Sequence, residues 1–379
     1  MEEPILSRIR AAVFLAASLL AAGPAAGIVL HADSDAPAGT PNAAVVGRWC
    51  SNASAVAIGR SGWAVTNYII TTRHQGQNST SVWFGGTEYQ IVETWNHPTA
   101  DLRVVRIQTL DGQEAYLPNF VQWYTGTDET DPTVSNCVIG GFGKGRGSEL
   151  RTASNKLYGY TWSGANNQTQ RWGSNNIEWS GTKSDGTYTS DVIKADFDGP
   201  ASKDAAVALY DSGGGWFIQK NGVWYVAGLT RGVDPGHATG ESWFADPVTG
   251  QPRPDVIDAV RVSSYASWID GKLPEWSIPG DYNHDGYVDQ TDYLTWANNY
   301  GQTVARPYDG ADGSGNGIID QTDYVVWANH YGDGTPPGGS SLAPGDVVGG
   351  MTVPEPAVVL MLVGGAPLLL RMKRASRRR

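Results

Sequence analysis

Three residues of this chain are suited to covalent chemistry: Ser212 in Asp211-Ser212-Gly213-Gly214, His74 at the end of Thr71-Thr72-Arg73-His74, and Asp101 ahead of Leu102. A serine hydroxyl is a weak nucleophile at neutral pH. It becomes competent when an imidazole takes its proton and a buried carboxylate orients the imidazole. Elimination singles out the base among six histidines. His31 follows the N-terminal apolar segment, His284 and His330 belong to a C-terminal repeat, His97 precedes Pro98 in a turn, and His237 sits in the loop Asp234-Pro235-Gly236-His237. His74 instead follows an apolar, β-branched stretch at 65–70, which holds it at the rigid end of a strand. Asp101 opens a segment with Leu102, Val104, Val105 and Ile107, a strand carrying its carboxylate at a buried edge. Gly213, Gly214 and Gly215 leave room for a substrate backbone and permit the positive φ of a tight turn. Alone, Asp-Ser-Gly-Gly is an ordinary turn; the ordered His and Asp segments give it meaning.

The elements that must position these residues are β-strands. With 48 Gly, 15 Trp and 17 Tyr and few helical periodicities, the first two-thirds of the chain reads as all-β, many short strands joined by turns. The full 379 residues exceed one ordinary domain. A net charge of -11 argues against a nucleic-acid partner, which selects a basic surface. Arg8 and Arg10, an apolar stretch at 11–22 and small residues through Gly27 form a secretory signal over 1–27, too short to span a bilayer comfortably. Residues 28–44, rich in Ala, Pro and Asp, read as a short pro-segment or linker. In an exported chain Cys50 and Cys137 are expected to form one disulfide, the alternative being two buried free thiols.

Over residues 45–272 the chain resembles the trypsin/chymotrypsin-like serine endopeptidases. Val45-Val46-Gly47 is similar to the family's mature start, and Ser61-Gly62-Trp63-Ala64-Val65-Thr66 with Ile69-Ile70-Thr71-Thr72-Arg73-His74 to the strand entering its catalytic histidine. His97-Pro98, the strand from Asp101, Val138-Ile139-Gly140-Gly141-Phe142-Gly143 and Val262-Ser263-Ser264-Tyr265-Ala266-Ser267-Trp268-Ile269 follow in the family's order. The resemblance implies a two-β-barrel domain in which His74 is general base, Asp101 its orienter, Ser212 the nucleophile, and the N–H groups of Ser212 and Tyr210 the oxyanion donors. Tyr210 stands where the family usually has Gly, and a residue with a Cβ reaches that backbone geometry less easily. Gln75 stands where a disulfide cysteine is usual, as in a trimmed bacterial version. Val45 follows Ala44 rather than a basic residue, which leaves open whether a new N-terminus pairs with Asp211. Ala206 occupies the position of the family's specificity aspartate; an apolar pocket floor disfavours Arg or Lys unless Asp204 replaces it. Thr230, Arg231 and Gly232 occupy the segment that would pair with substrate and wall the pocket, with Arg231 able to favour an acidic residue.

Residues 281–302 and 312–333 are an internal repeat, each opening with an acidic loop. Asp281, Asn283, Asp285, Asp289 and Asp292, and in the second copy Asp312, Ser314, Asn316, Asp320 and Asp323, place oxygens where a loop wraps a hard Ca²⁺ ion. Gly286 and Gly317 make the turn, and Tyr287 and Ile318 offer backbone carbonyls. Two Ca²⁺ sites are therefore expected. With a following helix in each copy, 276–333 resembles type I dockerin repeats, a small α-helical module whose family partner is a cohesin; a calcium-stabilised spacer is the alternative. A Gly/Pro/Ser linker at 334–350 precedes Val353-Pro354-Glu355-Pro356, an apolar run at 357–370 and a basic end, so 353–379 resembles a PEP-CTERM sorting tail. As a helix that run reaches about 21 Å, short of the hydrocarbon core, and would touch the membrane transiently before processing. The sequence thus reads as an exported serine endopeptidase acting on proteins or peptides. The alternative is a non-catalytic surface scaffold that retains the fold.

Overall fold

The computed structural model describes residues 28–334, apart from 62, 64, 77–78, 113–114, 164–168, 235–236, 238–239, 275–277 and 305–307. The expected signal segment, nearly all of the linker and the sorting tail lie outside the described residues. Among those described, no helix is long and apolar enough to cross a membrane.

The chain is mainly β. Strands β1 (Val46–Trp49), β2 (Ala53–Ile58), β3 (Tyr68–Thr71), β4 (Ser81–Phe84), β5 (Thr87–Asn96) and β6 (Arg103–Thr109) close into a barrel in the order β1-β2-β3-β6-β5-β4. The period-2 alternation of side chains decides what each strand buries. Ala55, Ala57, Ile69, Val105 and Ile107 fill the barrel with Trp49 and Phe84. Their neighbours Val56, Ile58, Ile70 and Val104 point the other way, into a second core shared with Phe217, Val226, Leu229 and Val260 of the following sheet.

That sheet begins with β7 (Gln122–Trp123) and β8 (Asn136–Gly141). After the hairpin β9 (Gly145–Arg151) and β10 (Leu157–Ser163) come β11 (Arg171–Asn176), β12 (Trp179–Ser184), β13 (Thr189–Asp196), β14 (Gly215–Lys220), β15 (Val223–Asp234), β16 (Glu241–Trp243) and β17 (Val256–Arg261). The main path runs β11-β8-β14-β15-β17-β13-β12, with β7 parallel to β15, while β16-β10-β9 form a small separate sheet. A third core, including Ile139, Ile193, Phe197 and Trp216, packs against it. Helix α1 (Ala266–Asp270) seats Ile269 in the shared core.

Residues 28–30 do not behave as part of a linker. Ile28, Val29 and Leu30 are buried in the third core, and Val29 exchanges both backbone hydrogen bonds with Ala206 (2.8 and 3.0 Å). Burying three such side chains is worth roughly 1.5–3 kcal/mol each. Val45 and Val46, similar in sequence to a mature start, instead enter the first barrel at β1.

The expected Cys50–Cys137 disulfide is absent: both are free thiols. Cys50 lies at the barrel's edge with Sγ 3.5 Å from the Ser81 carbonyl, whereas Cys137 on β8 is sealed in the core of the second sheet. The two cysteines belong to different cores, and burial pushes the Cys137 thiol up to about 12.

In the C-terminal segment α2 (Gln290–Asn299) and α3 (Gln321–His330) pair around Tyr293, Trp296, Tyr324 and Trp327. Each indole donates across to the other repeat, Trp296 Nε1 to the Asp320 carbonyl and Trp327 Nε1 to the Asp289 carbonyl, both at 2.8 Å. Leu294 and Val325, on the outer faces of these helices, are exposed at 52% and 50%.

Protein denatured without reductant is expected to yield two titratable thiols per chain. A count of zero would mean that the cysteines are bridged.

Candidate active site

His74, Asp101 and Ser212 come together. His74 Nδ1 is 2.6 Å from Asp101 Oδ2 and Nε2 is 2.8 Å from Ser212 Oγ. With Nδ1–H donating to the carboxylate, Nε2 is left to accept the hydroxyl proton. The other histidines are engaged elsewhere: His31 stacks on Phe197, His97 lies against Tyr265 and Trp268, and His237 pairs with Asp255.

The sequence builds this geometry locally. Strand β3 ends at Thr71, and the next turn is clipped by Gln75, whose Oε1 accepts from Thr71 Oγ1 (3.0 Å) and whose Nε2 donates to Thr72 Oγ1 (2.5 Å). A buried amide thus fixes the turn where the resemblance leads one to expect a disulfide. Asp101 has no exposed surface; its Oδ1 accepts the N–H groups of Arg73 (2.7 Å) and His74 (2.9 Å), and its own N–H donates to Ser190 Oγ. Burial works to raise the Asp101 carboxyl, but the His74 ring and the two N–H donors outweigh it and hold the group below its ordinary value.

Ser212 is held by its loop. Its carbonyl accepts from Ser54 N–H, Gly213 N–H donates to the Thr230 carbonyl, and Gly214 N–H to Asp211, each at 2.8 Å. Gly213 has φ 78°, and an added Cβ would overlap Thr71 and Ser54. Tyr210 has φ 79°, so this residue takes up the left-handed geometry that glycine adopts more readily. Among the described residues neither Tyr210 N–H nor Ser212 N–H has a hydrogen-bond partner. Two free donors on the turn that carries Ser212 suit an anion that develops beside its Oγ.

Asp211 has no exposed surface. Its Oδ1 accepts Gly143 N–H (2.7 Å), its Oδ2 Ala208 N–H (2.9 Å), and the Ile28 N–H reaches the same carboxylate. Gly141 and Gly143 lie so close to that carboxylate that a Cβ on either would overlap it. Burial pushes the carboxyl up to about 7. Ile28 is the functional candidate that sequence reading passed over. The signal for it was the apolar triplet Ile28-Val29-Leu30 directly after the small residues that end the signal segment. Ile28 has φ 26°, unfavourable for a β-branched residue, and a chain that begins at Ile28 has no such torsion.

The residues expected to bind substrate are arranged differently. Ala206 has no exposed surface and is packed in the core. Asp204 is buried, and desolvation with the charge of Asp198 raises its carboxyl. Thr230 gives its N–H and C=O to Gly214 and Gly213, and its Oγ1 accepts from Trp216 Nε1. Gly232 borders open space. Arg231 is not available to an acidic substrate: its side chain is 7% exposed and bonded to Asp185 (2.7 Å) and Asp258 (3.4 Å).

In the acidic loops the carboxylates serve the backbone. Asp281 accepts from Asp285 and Gly286 N–H, and Asp292 from Asn283 and Asp289 N–H. Asp312 and Asp323 repeat this with Asn316, Gly317, Ser314 and Asp320. Asp289 and Asp320 also cap α2 and α3, each in a capping box closed by Asp292 or Asp323. Among the described residues no three His, Cys, Asp or Glu side chains converge as metal ligands. The donor chemistry still fits a hard cation: the side chains offer oxygen, and burial pushes Asp281 and Asp292 up to about 6, a cost that a bound cation would reverse.

No family model matches the chain, and no curated protein matches it.

A raised carboxyl favours folding below its unfolded value and loses that contribution as pH rises through its folded value, here about 7. A chain carrying residues ahead of Ile28 should therefore lose stability from about pH 4 to 7, by a few kcal/mol. A chain starting at Ile28 brings an ammonium to Asp211 and should not. Chemical denaturation of both forms across this range checks it; parallel profiles would show that the Ile28 amine does not reach Asp211.

Proposed function

We propose that the chain is an exported serine endopeptidase of the trypsin/chymotrypsin-like kind, with a two-barrel catalytic domain, acting on protein or peptide substrates. The observation that carries this reading is the single imidazole that bridges Asp101 at 2.6 Å and Ser212 at 2.8 Å. In the proposed reaction His74 Nε2 takes the Ser212 proton as Oγ attacks the substrate carbonyl, and Asp101 stabilises the imidazolium. The Tyr210 and Ser212 N–H groups receive the oxyanion. His74 then protonates the leaving amine, and water repeats the sequence to free the acyl group. Tyr210, which with the weak activation site favours the alternative of a non-catalytic scaffold, has a left-handed φ of 79°, which supports the enzyme reading.

Removal of residues 1–27 as a signal peptide would leave Ile28 as the N-terminus, its ammonium paired with Asp211 next to the nucleophile. Export and assembly of the oxyanion site are then one event. The repeats are proposed to bind one Ca²⁺ each, through Asp281, Asn283, Asp285, Asp289, Asp292 and the Tyr287 carbonyl, and through Asp312, Ser314, Asn316, Asp320, Asp323 and the Ile318 carbonyl. Bound Ca²⁺ would neutralise buried carboxylates and brace the helix pair. The module would attach the enzyme to a cohesin-like or other surface partner, after transient membrane contact through the tail.

A serine-directed phosphonate is expected to label the processed protein at Ser212, and Ser212→Ala to abolish both labelling and cleavage of an unfolded protein substrate, a loss of several orders of magnitude. A folded, processed wild type that takes no label would overturn the enzyme reading. For the repeats, calorimetry on the whole chain should find about two Ca²⁺ sites, with Asp281→Asn and Asp312→Asn each removing one. Uptake should weaken below about pH 6, where Asp281 and Asp292 take up protons that the metal must displace. Uptake unaffected by these substitutions would place the metal elsewhere.

A further inference from the structure

Arg231 lies at a fault in the sheet. Thr230 pairs with Ala259 and Gly232 with Asp258, so β15 carries an irregularity at Arg231 opposite an unbroken β17. A bulge re-aims a side chain, and Arg231 crosses from the second sheet towards the first barrel. Its Nε stands 4.0 Å from Asp101 Oδ2, the same oxygen that receives His74 Nδ1. That Nε is buried and has no hydrogen-bond partner, while the two terminal nitrogens are fixed by Asp185 and Asp258. Asp258 is shared with Lys183 at 2.6 Å, so the anchor under Arg231 is itself charge-balanced.

We propose that Arg231 is a positioning residue of the triad: its guanidinium steadies the charged Asp101 from across the junction of the two β units and sets how far pH can fall before His74 stops acting as a base. This rests on the proposed endopeptidase reading. The electrostatics are simple in sign. A cation beside the Asp101–His74 pair opposes a second positive charge on the imidazole, so it extends activity to lower pH. Two other arginines lie near the pair, with Arg103 also feeling the Asp101 charge. Arg73 donates to the His97 carbonyl and stacks on Tyr188, and Arg103 is buried over Trp49 and bonded to the Arg73 carbonyl. All three arginines bury an unbonded Nε–H, and among the described residues Arg231 is the one whose side-chain nitrogen lies within 4.0 Å of an Asp101 carboxylate oxygen.

The test is the pH dependence of phosphonate labelling at Ser212 in the processed protein. Arg231→Met should move the acid limb upward by about 0.5–1 pH unit, and Arg231→Lys, which keeps the charge but not the fork, should return most of that shift. A merely structural role would lower the rate in both variants and leave the limb in place, and that result overturns the proposal. If Arg231→Met does not fold, Asp185→Asn decides. It removes a counter-charge at the exposed end of the network, so the limb should fall by a few tenths of a unit; no movement, or a rise, counts against the idea. Wild type without any label overturns the endopeptidase reading and this inference together, whereas normal labelling with unmoved limbs overturns this inference alone.

Discussion

A carboxylate removed from water must find donors on every side, and Asp211 finds them in three separate pieces of chain. Gly143 comes from the turn after β8, Ala208 from the turn before Ser212, and Ile28 from the start of the described chain. Because Asp211 is bonded in sequence to both Tyr210 and Ser212, whatever satisfies its side chain fixes the backbone on either side of it. The left-handed φ of Tyr210 and the free N–H groups of the loop are held by that constraint. An uncompensated buried charge costs several kcal/mol, far more than the strain of one non-glycine residue at positive φ.

Two fully buried aspartates therefore flank Ser212 and His74 with their carboxyls shifted in opposite directions. Asp101, with a histidine and paired N–H donors, is held below its ordinary value; Asp211, with N–H donors and the more distant Arg171, is pushed up. Burial alone does not distinguish them. The difference lies in what each is bonded to, and it leaves Asp211 sensitive to a charge arriving nearby. A chain terminus is the only charge a polypeptide can acquire at a backbone position without changing its sequence.

Much of the site was legible because its residue types and their strand contexts are local. His74 at a strand end, Asp101 opening an alternating strand and Ser212 among glycines need no tertiary knowledge to be picked out. What stayed hidden is what depends on contacts distant in sequence. Ile28–Leu30 look like linker until Val29 pairs with Ala206. Arg231 looks like a substrate ligand until the bulge turns it inward towards Asp185 and Asp258. Cys50 and Cys137 look like a pair until they fall into different cores. In the repeats, the calcium-loop spacing concealed a second use of the same residues: Asp289 and Asp320 cap helices, a role that the Asp-x-x-Asp spacing encodes equally well.

The proposed triad draws His74 and Asp101 from loops of the barrel and Ser212 from the loop entering β14, so the 2.8 Å contact between Nε2 and Oγ is also a measure of how the two β units sit together. That spacing is set by the apolar layer in which Val56, Ile70 and Val104 meet Leu229 and Val260. Each barrel-side residue of this layer is one step along its strand from a residue filling the barrel, so the alternation that closes the barrel also builds the junction. A displacement of about 1 Å between reacting groups is enough to cost orders of magnitude in rate. A methylene lost from the shared layer should therefore harm the chemistry more than an equal loss inside either separate core, where the deformation is taken up before it reaches the contact between imidazole and hydroxyl.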